Sequence, residues 1–491
     1  MKKTVTSKKI RLRYPPSPTG PVHIGNVRTI LFNYLFAKKN GGQTVLRIED
    51  TDQERSELKW VQNIMEELQW LGITWDEGPD IDGPFGPYKQ SQRIDIYKKY
   101  LEQLLADKKA YYCACNAEEL EAKRQDHQSR GLAPKYDGKC RDKNNTAGVI
   151  RFKVSEKKMK FTDIIRGDVE FDMSLTGDMV IAKSLTEPLY NLAVVVDDFL
   201  MQISHVIRGE DHIANTPKQI LLQEALGFSR LEYAHLPLLL NPDKSKMSKR
   251  AGDVAVSDYH QAGYLPEALI NFMVLLGWNP GIPSTHRSGQ AEKEIFSLKE
   301  LEKEFSLEKV QKAGAVFNLQ RLDFINGLYI RQKSPTALVK LCAPFLPEHN
   351  LPAKTVEKII TAYQGRMKKL SDITELADFF FLEKLSFDKK ILVWKEMGDS
   401  EVKKSLEHSA LLLSSAEKFD QKSLEELMVP EAEKFLPHRQ AGNSKNRGYL
   451  LWPLRVALSG KEASAGPFEI AEILGKEKTL KRIQDAIVIL G

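Results

Sequence analysis

Long apolar runs are missing. Nowhere do about 18 apolar residues follow one another, so no segment is long enough to span a bilayer as a helix. Cysteine is scarce: four residues in 491 cannot staple a chain of this size, and Cys113, Cys115, Cys140 and Cys342 are expected as reduced thiols. The start, Met1-Lys2-Lys3-Thr4 leading into Lys8-Lys9, lacks an apolar signal core, so a cytoplasmic location is expected. No internal repeat stands out, and no stretch is long and low-complexity enough to read as disordered. Neither sign of charge dominates. The 72 Lys and Arg against 66 Asp and Glu leave +6, an excess that permits a polyanionic partner without requiring one.

What is present is ordinary globular composition, 42% hydrophobic and 28% charged, in a chain long enough for about three or more domains. Ile10 to Tyr14 alternates apolar with basic, as a strand would, and the prolines from Pro15 to Pro21 stop it. From His23 to about Asn40 apolar residues recur at helical spacing, Gly41-Gly42 supplies a stop, and Thr44 to Ile48 reads as a second strand. This β-loop-α-β opening predicts an α/β fold with a doubly wound, Rossmann-like parallel sheet.

Helices are predicted over 54–71 and 92–108. Alternating segments at 148–154, 169–173 and 180–182 predict a small antiparallel insertion. The sheet pattern resumes with strands at 192–196 and 205–208, then a helix over 216–226. Further on, 266–276 reads as an apolar helix, 279–294 as a surface loop and 299 onward as a Lys- and Glu-rich helix. From about Ser334 to Gly491 short amphipathic helices predict an all-α region.

Two short segments carry most of the chemistry. In the first, Pro16 to Asn26, prolines fix a loop in advance and Gly20 and Gly25 allow close backbone approach. His23 then stands where a helix begins, a place whose free amides and dipole favour phosphate. In the second, Asn241 to Arg250, a turn carries four cations in its last seven residues, and lysines there could neutralise charge on departing pyrophosphate. Alone, each could be a capped turn or a solvated basic loop. Together they read as a split ATP site.

The pair, His23-Ile24-Gly25-Asn26 and Lys246-Met247-Ser248-Lys249-Arg250, resembles the HIGH and KMSKS signatures of class I aminoacyl-tRNA synthetases, 223 residues apart and in the right order. Each departs at its last position, with Asn26 for the second histidine and Arg250 for the final serine. The surroundings resemble bacterial-type glutamyl-tRNA synthetase. Arg13 to Gly20, Leu46 to Asp52, Gly86 to Ser91, Val206 to His212, Tyr264 to Leu269, Phe317 to Ile330 and Arg455 to Gly460 with Gly466-Pro467 all match, and they span essentially the whole chain.

The resemblance implies a site. His23, Lys246 and Lys249 would act on ATP phosphates, with Thr19, Gly20 and Gly25 completing the nucleotide loop. Arg13 and Arg208 would hold substrate carboxylate, Ser17 and Tyr190 would hydrogen-bond it, and Glu49 would meet the α-ammonium. Taken singly, each could be a structural ion-pair or capping residue, as arginines and glutamates at strand ends usually are. It implies glutamate, ATP with Mg²⁺ and tRNA as substrates and partners, no membrane and a monomer. It also implies domains at 1–110 (catalytic, first half), 111–189 (inserted, acceptor-stem-binding), 190–255 (catalytic, second half), 256–333 (stem-contact helices) and 334–491 (helical, anticodon-binding).

Cys113-Ala114-Cys115 with Cys140 offers three thiolates for a tetrahedral metal such as Zn²⁺, with Tyr136 or Asp142 as the fourth ligand. In zinc-bearing members of the resembled family a histidine often stands where this chain has Asp142. Gln364 to Lys369 is the candidate RNA contact: were it helical, Arg366 and Lys369 would share a face. The Pro-Ser-Pro-Thr-Gly form of the first motif argues against a glutaminyl enzyme, the long helical tail against the truncated tRNA-modifying relative. An adenylyltransferase that never meets tRNA would not need that tail.

Overall fold

The prolines after Tyr14 end β1 (Arg11–Tyr14), and α1 (Ile24–Lys39) brings the chain back so that β2 (Gln43–Leu46) lies parallel to β1, Arg13 opposite Val45. Nearly every residue of both strands is buried, as expected where helices cover both faces. The structure is a computed structural model and describes residues 9–52, 54–247, 255–281, 294–435 and 446–491. The chain divides into two compact units, Met1–Gln261 with Pro266–Leu322, and Ala262–Leu265 with Asp323–Gly491.

In the first unit α2 (Leu58–Trp70), α3 (Ile94–Ala106) and β3 (Ala110–Cys113) come next, then α4 (Ala117–Ser129), β4 (Val149–Phe152), β5 (Lys158–Asp163), β6 (Gly167–Asp172), β7 (Met179–Ser184) and β8 (Glu187–Pro188). Strands β3, β4, β7 and β8 form an antiparallel sheet in that order; of the three alternating segments expected in one small insertion, 148–154 and 180–182 fall here in β4 and β7, whereas 169–173 falls in β6 of another sheet. The hairpin β5–β6 does not belong to the β3-β4-β7-β8 sheet. Beyond α5 (Tyr190–Leu200), β9 (His205–Gly209) and α6 (Thr216–Leu226) comes β10 (Glu232–Leu236), which pairs in parallel with both β9 and β5 and so draws the hairpin into the sheet order β6-β5-β10-β9. The Ser204 amide donates to the Arg11 carbonyl at 3.0 Å, joining the approach of β9 to β1.

The expected strand at 192–196 is helix: it lies inside α5. Leu192 to Val196 are all buried, 0 to 2% exposed, so no polar face breaks the run and no period shows. The helices expected over 54–71 and 92–108 start later, at Leu58 and Ile94.

The unit continues with β11 (Leu239–Leu240), α7 (Val256–Gln261), α8 (Pro266–Leu275), α9 (Leu298–Glu304) and β12 (Ala315–Val316), the last parallel to β11. The Lys- and Glu-rich helix is therefore only 7 residues long, opened by a capping box between Ser297 and Glu300. Most of the loop expected over 279–294 lies outside the described residues. The helix α10 (Leu319–Gln332) begins in this unit and ends in the second.

The second unit is helical among its described residues: α11 (Pro335–Cys342), α12 (Ala353–Tyr363), α13 (Asp372–Ala377), α14 (Asp399–Ser415), α15 (Gln421–Lys434), α16 (Gly448–Ser459) and α17 (Pro467–Leu490). Its buried Arg482 donates to the carbonyls of Leu458, Phe379 and Leu382 and so ties α17 to α16 and to the turns after α13. Residues 364–369 are not helical. α12 ends at Tyr363, and Arg366 and Lys369 lie in the turns beyond, Lys369 paired with Asp372 at 3.0 Å. Gly365, a poor helix former, lies in that stretch, and the Lys368 and Lys369 amides donate to the Asp372 carboxylate rather than to carbonyls one turn back.

Candidate active site

The loop after β1 is braced by backbone before any ligand arrives. The Glu49 amide donates to the Pro16 carbonyl at 2.9 Å and the Glu57 amide to that of Pro18 at 3.1 Å. His23 caps α1: its Nδ1 accepts the Asn26 amide at 3.4 Å, which leaves the ring proton on Nε2, where it can be donated. Gly25 leaves room for this cap, because a Cβ there would stand only 3.1 Å from His23 Nδ1.

The ends of β1 and β9, the start of α1 and the start of α5 open on one cavity of about 440 Å³. Of the residues singled out from sequence, Arg13, Ser17, Thr19, His23 and Gly25 line it, as do Glu49, Tyr190, Arg208 and Lys246. Gly20 is not among its lining residues. Lys249 lies outside the described residues.

Charge directly behind the cavity lining is organised by pairs. Asp198, at the end of α5, accepts from Arg13 Nε at 3.3 Å and from Arg47 Nη1 at 2.7 Å, and Arg47 Nη2 donates to Glu49 at 2.9 Å. Burial pushes the Asp198 carboxyl up, but Arg47 and Arg13 outweigh it and hold it below its ordinary range. For Glu49 burial wins over Arg47, and its carboxyl is raised. Among the lining residues themselves Arg13, Arg28, Arg208 and Lys246 stand against the carboxylates of Glu49 and Asp211, so the cavity carries excess positive charge suited to an anionic ligand.

Arg208 itself is 5% exposed, and its Nη1 has no hydrogen-bond partner among the described residues. The Tyr190 hydroxyl lies 3.2 Å from His212 Nδ1. Burial and then Arg208 draw the His212 ring down to about 4, so it is neutral near pH 7. On the rim, Lys246 Nζ meets Asp211 Oδ2 at 3.4 Å.

Asp198, Asp211 and His212 received no role from sequence, nor did Arg47, although it lies in a matching segment. The one available signal was Asp197-Asp198 closing an apolar run, since buried carboxylates demand partners. Asp197 meets Arg93 at 2.6 Å, away from the cavity lining.

A second cluster lies in the insertion. The sulfurs of Cys113, Cys115 and Cys140 all fall within 4.8 Å of one another. The Tyr136 hydroxyl stands 3.4 Å from Cys113 Sγ and 3.5 Å from Cys115 Sγ, and it accepts the Cys140 amide at 3.0 Å. The Arg151 guanidinium covers the Tyr136 ring at 3.9 Å. Gly148 makes the corner possible, for a Cβ there would lie 2.3 Å from the Cys113 carbonyl oxygen.

Burial pushes the Cys140 thiol up, yet hydrogen bonds from Tyr136, the Ala114 backbone and the other two thiols bring it to about 7. Three convergent soft donors, one close to ionising at neutral pH, fit a tetrahedral Zn²⁺. Asp142 is not in the cluster: the ligand atoms that close on one another are the three sulfurs. Two residues past Cys140 the chain has turned away, whereas Tyr136 reaches back across the turn.

Residues 9–324 match the family described as tRNA synthetases class I (E and Q), catalytic domain, and residues 337–487 match an anticodon binding domain. The chain is 42% identical over 494 residues to a glutamate–tRNA ligase of Dehalococcoides mccartyi, covering 98% of each. It is 43% identical over 500 residues to glutamate–tRNA ligase 1 of Caldicellulosiruptor saccharolyticus, covering 97% of this chain and 98% of that one. A crystal structure of a glutamate tRNA ligase from Elizabethkingia meningosepticum, in complex with its amino acid, superposes with a TM-score of 0.85 at 35% identity, over 98% of this chain and all of that one.

Proposed function

The chain belongs to the class I tRNA synthetases of the glutamate and glutamine type, and on that premise we propose that it is a glutamate–tRNA ligase working through the cavity beside His23. It is an ATP-dependent enzyme that joins glutamate to the 3′-terminal adenosine of tRNA. The observation that carries the reading is the cavity lining, where Arg13, Arg28, Arg208 and Lys246 outnumber Glu49 and Asp211 and Arg208 Nη1 has no hydrogen-bond partner among the described residues.

Glutamate brings two carboxylates and an ammonium. Arg208 and Arg13 take carboxylate, the Tyr190 and Ser17 hydroxyls fix its orientation, and Glu49 faces the ammonium. Held in line, the α-carboxylate oxygen attacks the α-phosphorus of ATP. The bond to the bridging oxygen breaks, giving glutamyl-adenylate and pyrophosphate. His23 Nε2–H and the start of α1 meet phosphate, while Lys246 and Lys249 neutralise charge on the leaving pyrophosphate. A ribose hydroxyl of tRNA then attacks the acyl carbon and AMP departs.

Mg²⁺ enters with ATP as the counter-ion of its phosphates. Cys113, Cys115 and Cys140 with Tyr136 would hold Zn²⁺, whose contribution is structural cross-linking of the insertion. The insertion takes the acceptor stem and the helical residues 334–491 the anticodon end. The enzyme acts as a cytoplasmic monomer.

Exchange of labelled pyrophosphate into ATP tests the reading: it should require glutamate and, on the family pattern, tRNA. Exchange driven by glutamine would overturn it. Charging purified glutamate and glutamine tRNAs separately decides whether the enzyme discriminates between them. Elemental analysis should find about one zinc per chain, and its absence would remove the metal assignment.

A further inference from the structure

Arg208 is held from behind by a chain of buried hydrogen bonds that begins in the hairpin drawn into the sheet. Asp163, the last residue of β5, is fully buried. Its Oδ1 accepts the amides of Ile165 and Arg166 at 2.9 and 2.8 Å, and its Oδ2 accepts the His235 amide at 3.0 Å and faces His235 Nδ1 at 2.6 Å. A carboxylate surrounded by that many donors stays ionised. Burial alone would raise it, but His235 and the Arg166 amide hold it below its ordinary value.

These contacts decide the tautomer of His235. Its Nδ1 must carry the proton that Asp163 accepts, so in the neutral ring Nε2 presents a lone pair. Arg208 Nε donates to that atom at 3.2 Å. His235 and Arg208 are direct register partners across β10 and β9, so the two side chains share one face of the sheet. Arg208 Nη2 donates to Thr216 Oγ1 at 2.7 Å. Two of the three guanidinium nitrogens are thereby committed, which fixes the plane of the group. Among the described residues Nη1 alone of the three has no partner, and Arg208 lines the cavity.

We propose that Asp163 and His235 are positioning residues for substrate glutamate: the ionised carboxylate sets the imidazole tautomer, the imidazole accepts from Arg208 Nε, and the arginine is thereby aimed so that Nη1 receives a substrate carboxylate. A protonated ring could not serve, because its Nε2–H would oppose the Arg208 Nε–H. Burial and the nearby Arg208 keep His235 below its ordinary value, in keeping with that requirement. The arrangement also gives the β5–β6 hairpin a task, since it delivers Asp163 to the site from outside the β-loop-α-β frame.

This inference rests on the reading of Arg208 as a substrate-carboxylate residue, so the experiment separates the two. In pyrophosphate exchange with the full chain, His235→Leu should raise the glutamate KM by about tenfold or more while leaving the ATP KM within about twofold. His235→Gln, whose amide oxygen can accept from Arg208 Nε, should recover part of the loss. Asp163→Asn should move the glutamate KM in the same direction, and it keeps the test open should the leucine variant fail to fold. The double variant His235→Leu/Arg208→Ala should be no worse for glutamate than Arg208→Ala alone. If Arg208→Ala weakens glutamate but His235→Leu and Asp163→Asn do not, the positioning role is wrong. Parallel loss of glutamate and ATP affinity would reduce the pair to a merely structural one and overturn it equally. If Arg208→Ala leaves the glutamate KM unchanged, the reading of the site itself falls.

Discussion

The amide of Val256 donates to the carbonyl of Val22 at 3.0 Å, so the chain that emerges from the mid-sequence basic segment is pinned beside the His23 turn. An antiparallel bridge between His23 and Ala255 extends the same contact. The other end is held as well: the Met247 amide donates to the Leu239 carbonyl at 3.0 Å. Two segments 223 residues apart in sequence thus border one cavity.

Lys246→Ala should lower pyrophosphate exchange by roughly a hundredfold with little change in the glutamate KM, because the ammonium acts on charge that develops only in the transition state. Lys246→Arg keeps the charge and should recover part of the rate. Steady-state kinetics separate the two effects, and a rise confined to the glutamate KM would count against this role.

Gly25→Ala places a methyl group 3.1 Å from His23 Nδ1 and 3.2 Å from Cε1. The ring must give by a few tenths of an ångström, which lengthens its cap on the Asn26 amide, already 3.4 Å. Exchange activity should fall by roughly ten- to a hundredfold, with global stability changed by less than about 1 kcal/mol. Thermal melting and exchange measured on the same preparation check both halves.

Asp198→Asn removes the carboxylate shared by Arg13 and Arg47 and leaves buried guanidiniums without full compensation. A loss of roughly 3–5 kcal/mol in unfolding free energy is expected. Denaturant titration measures it, and a loss below about 1 kcal/mol would mean that the arginines find other partners.

His212 makes stability depend on pH. Its ring is drawn from 6.5 to about 4, so between these values the unfolded chain binds a proton that the folded one refuses. The stabilisation is complete above about 6.5 and is lost as pH falls toward 4. His212→Asn should flatten the fall in Tm between about pH 7 and 5. A slope identical to that of the parent protein would show that other groups carry the acid dependence.

Much of the frame is legible directly. The β-loop-α-β opening can be read because prolines and glycines punctuate it, and α1 and α6 because their apolar residues recur at helical spacing or close on a glycine. Leu192 to Val196 reads as strand because burial on all sides of α5 erases the periodicity that tells helix from strand. Arg366 and Lys369 are not placed by pattern, because six residues carry too little periodicity to show that α12 ends at Tyr363, before them.

The residue types of the site were settled by sequence alone: His23 at a helix start, arginines at strand ends, lysines on a turn and three grouped cysteines. Their partners were not. Asp198 stands 185 residues from the Arg13 it neutralises, and Asp163 stands 72 from His235. A buried charge takes its energy from whatever lies within a few ångströms, and sheet order, not chain order, decides what that is. The register of β10 against β9 set His235 opposite Arg208, and the turn before Cys140 brought Tyr136 rather than Asp142 to the sulfurs. Chemistry here was written in local residue choice, while its aim was set by packing between segments that no local pattern connects.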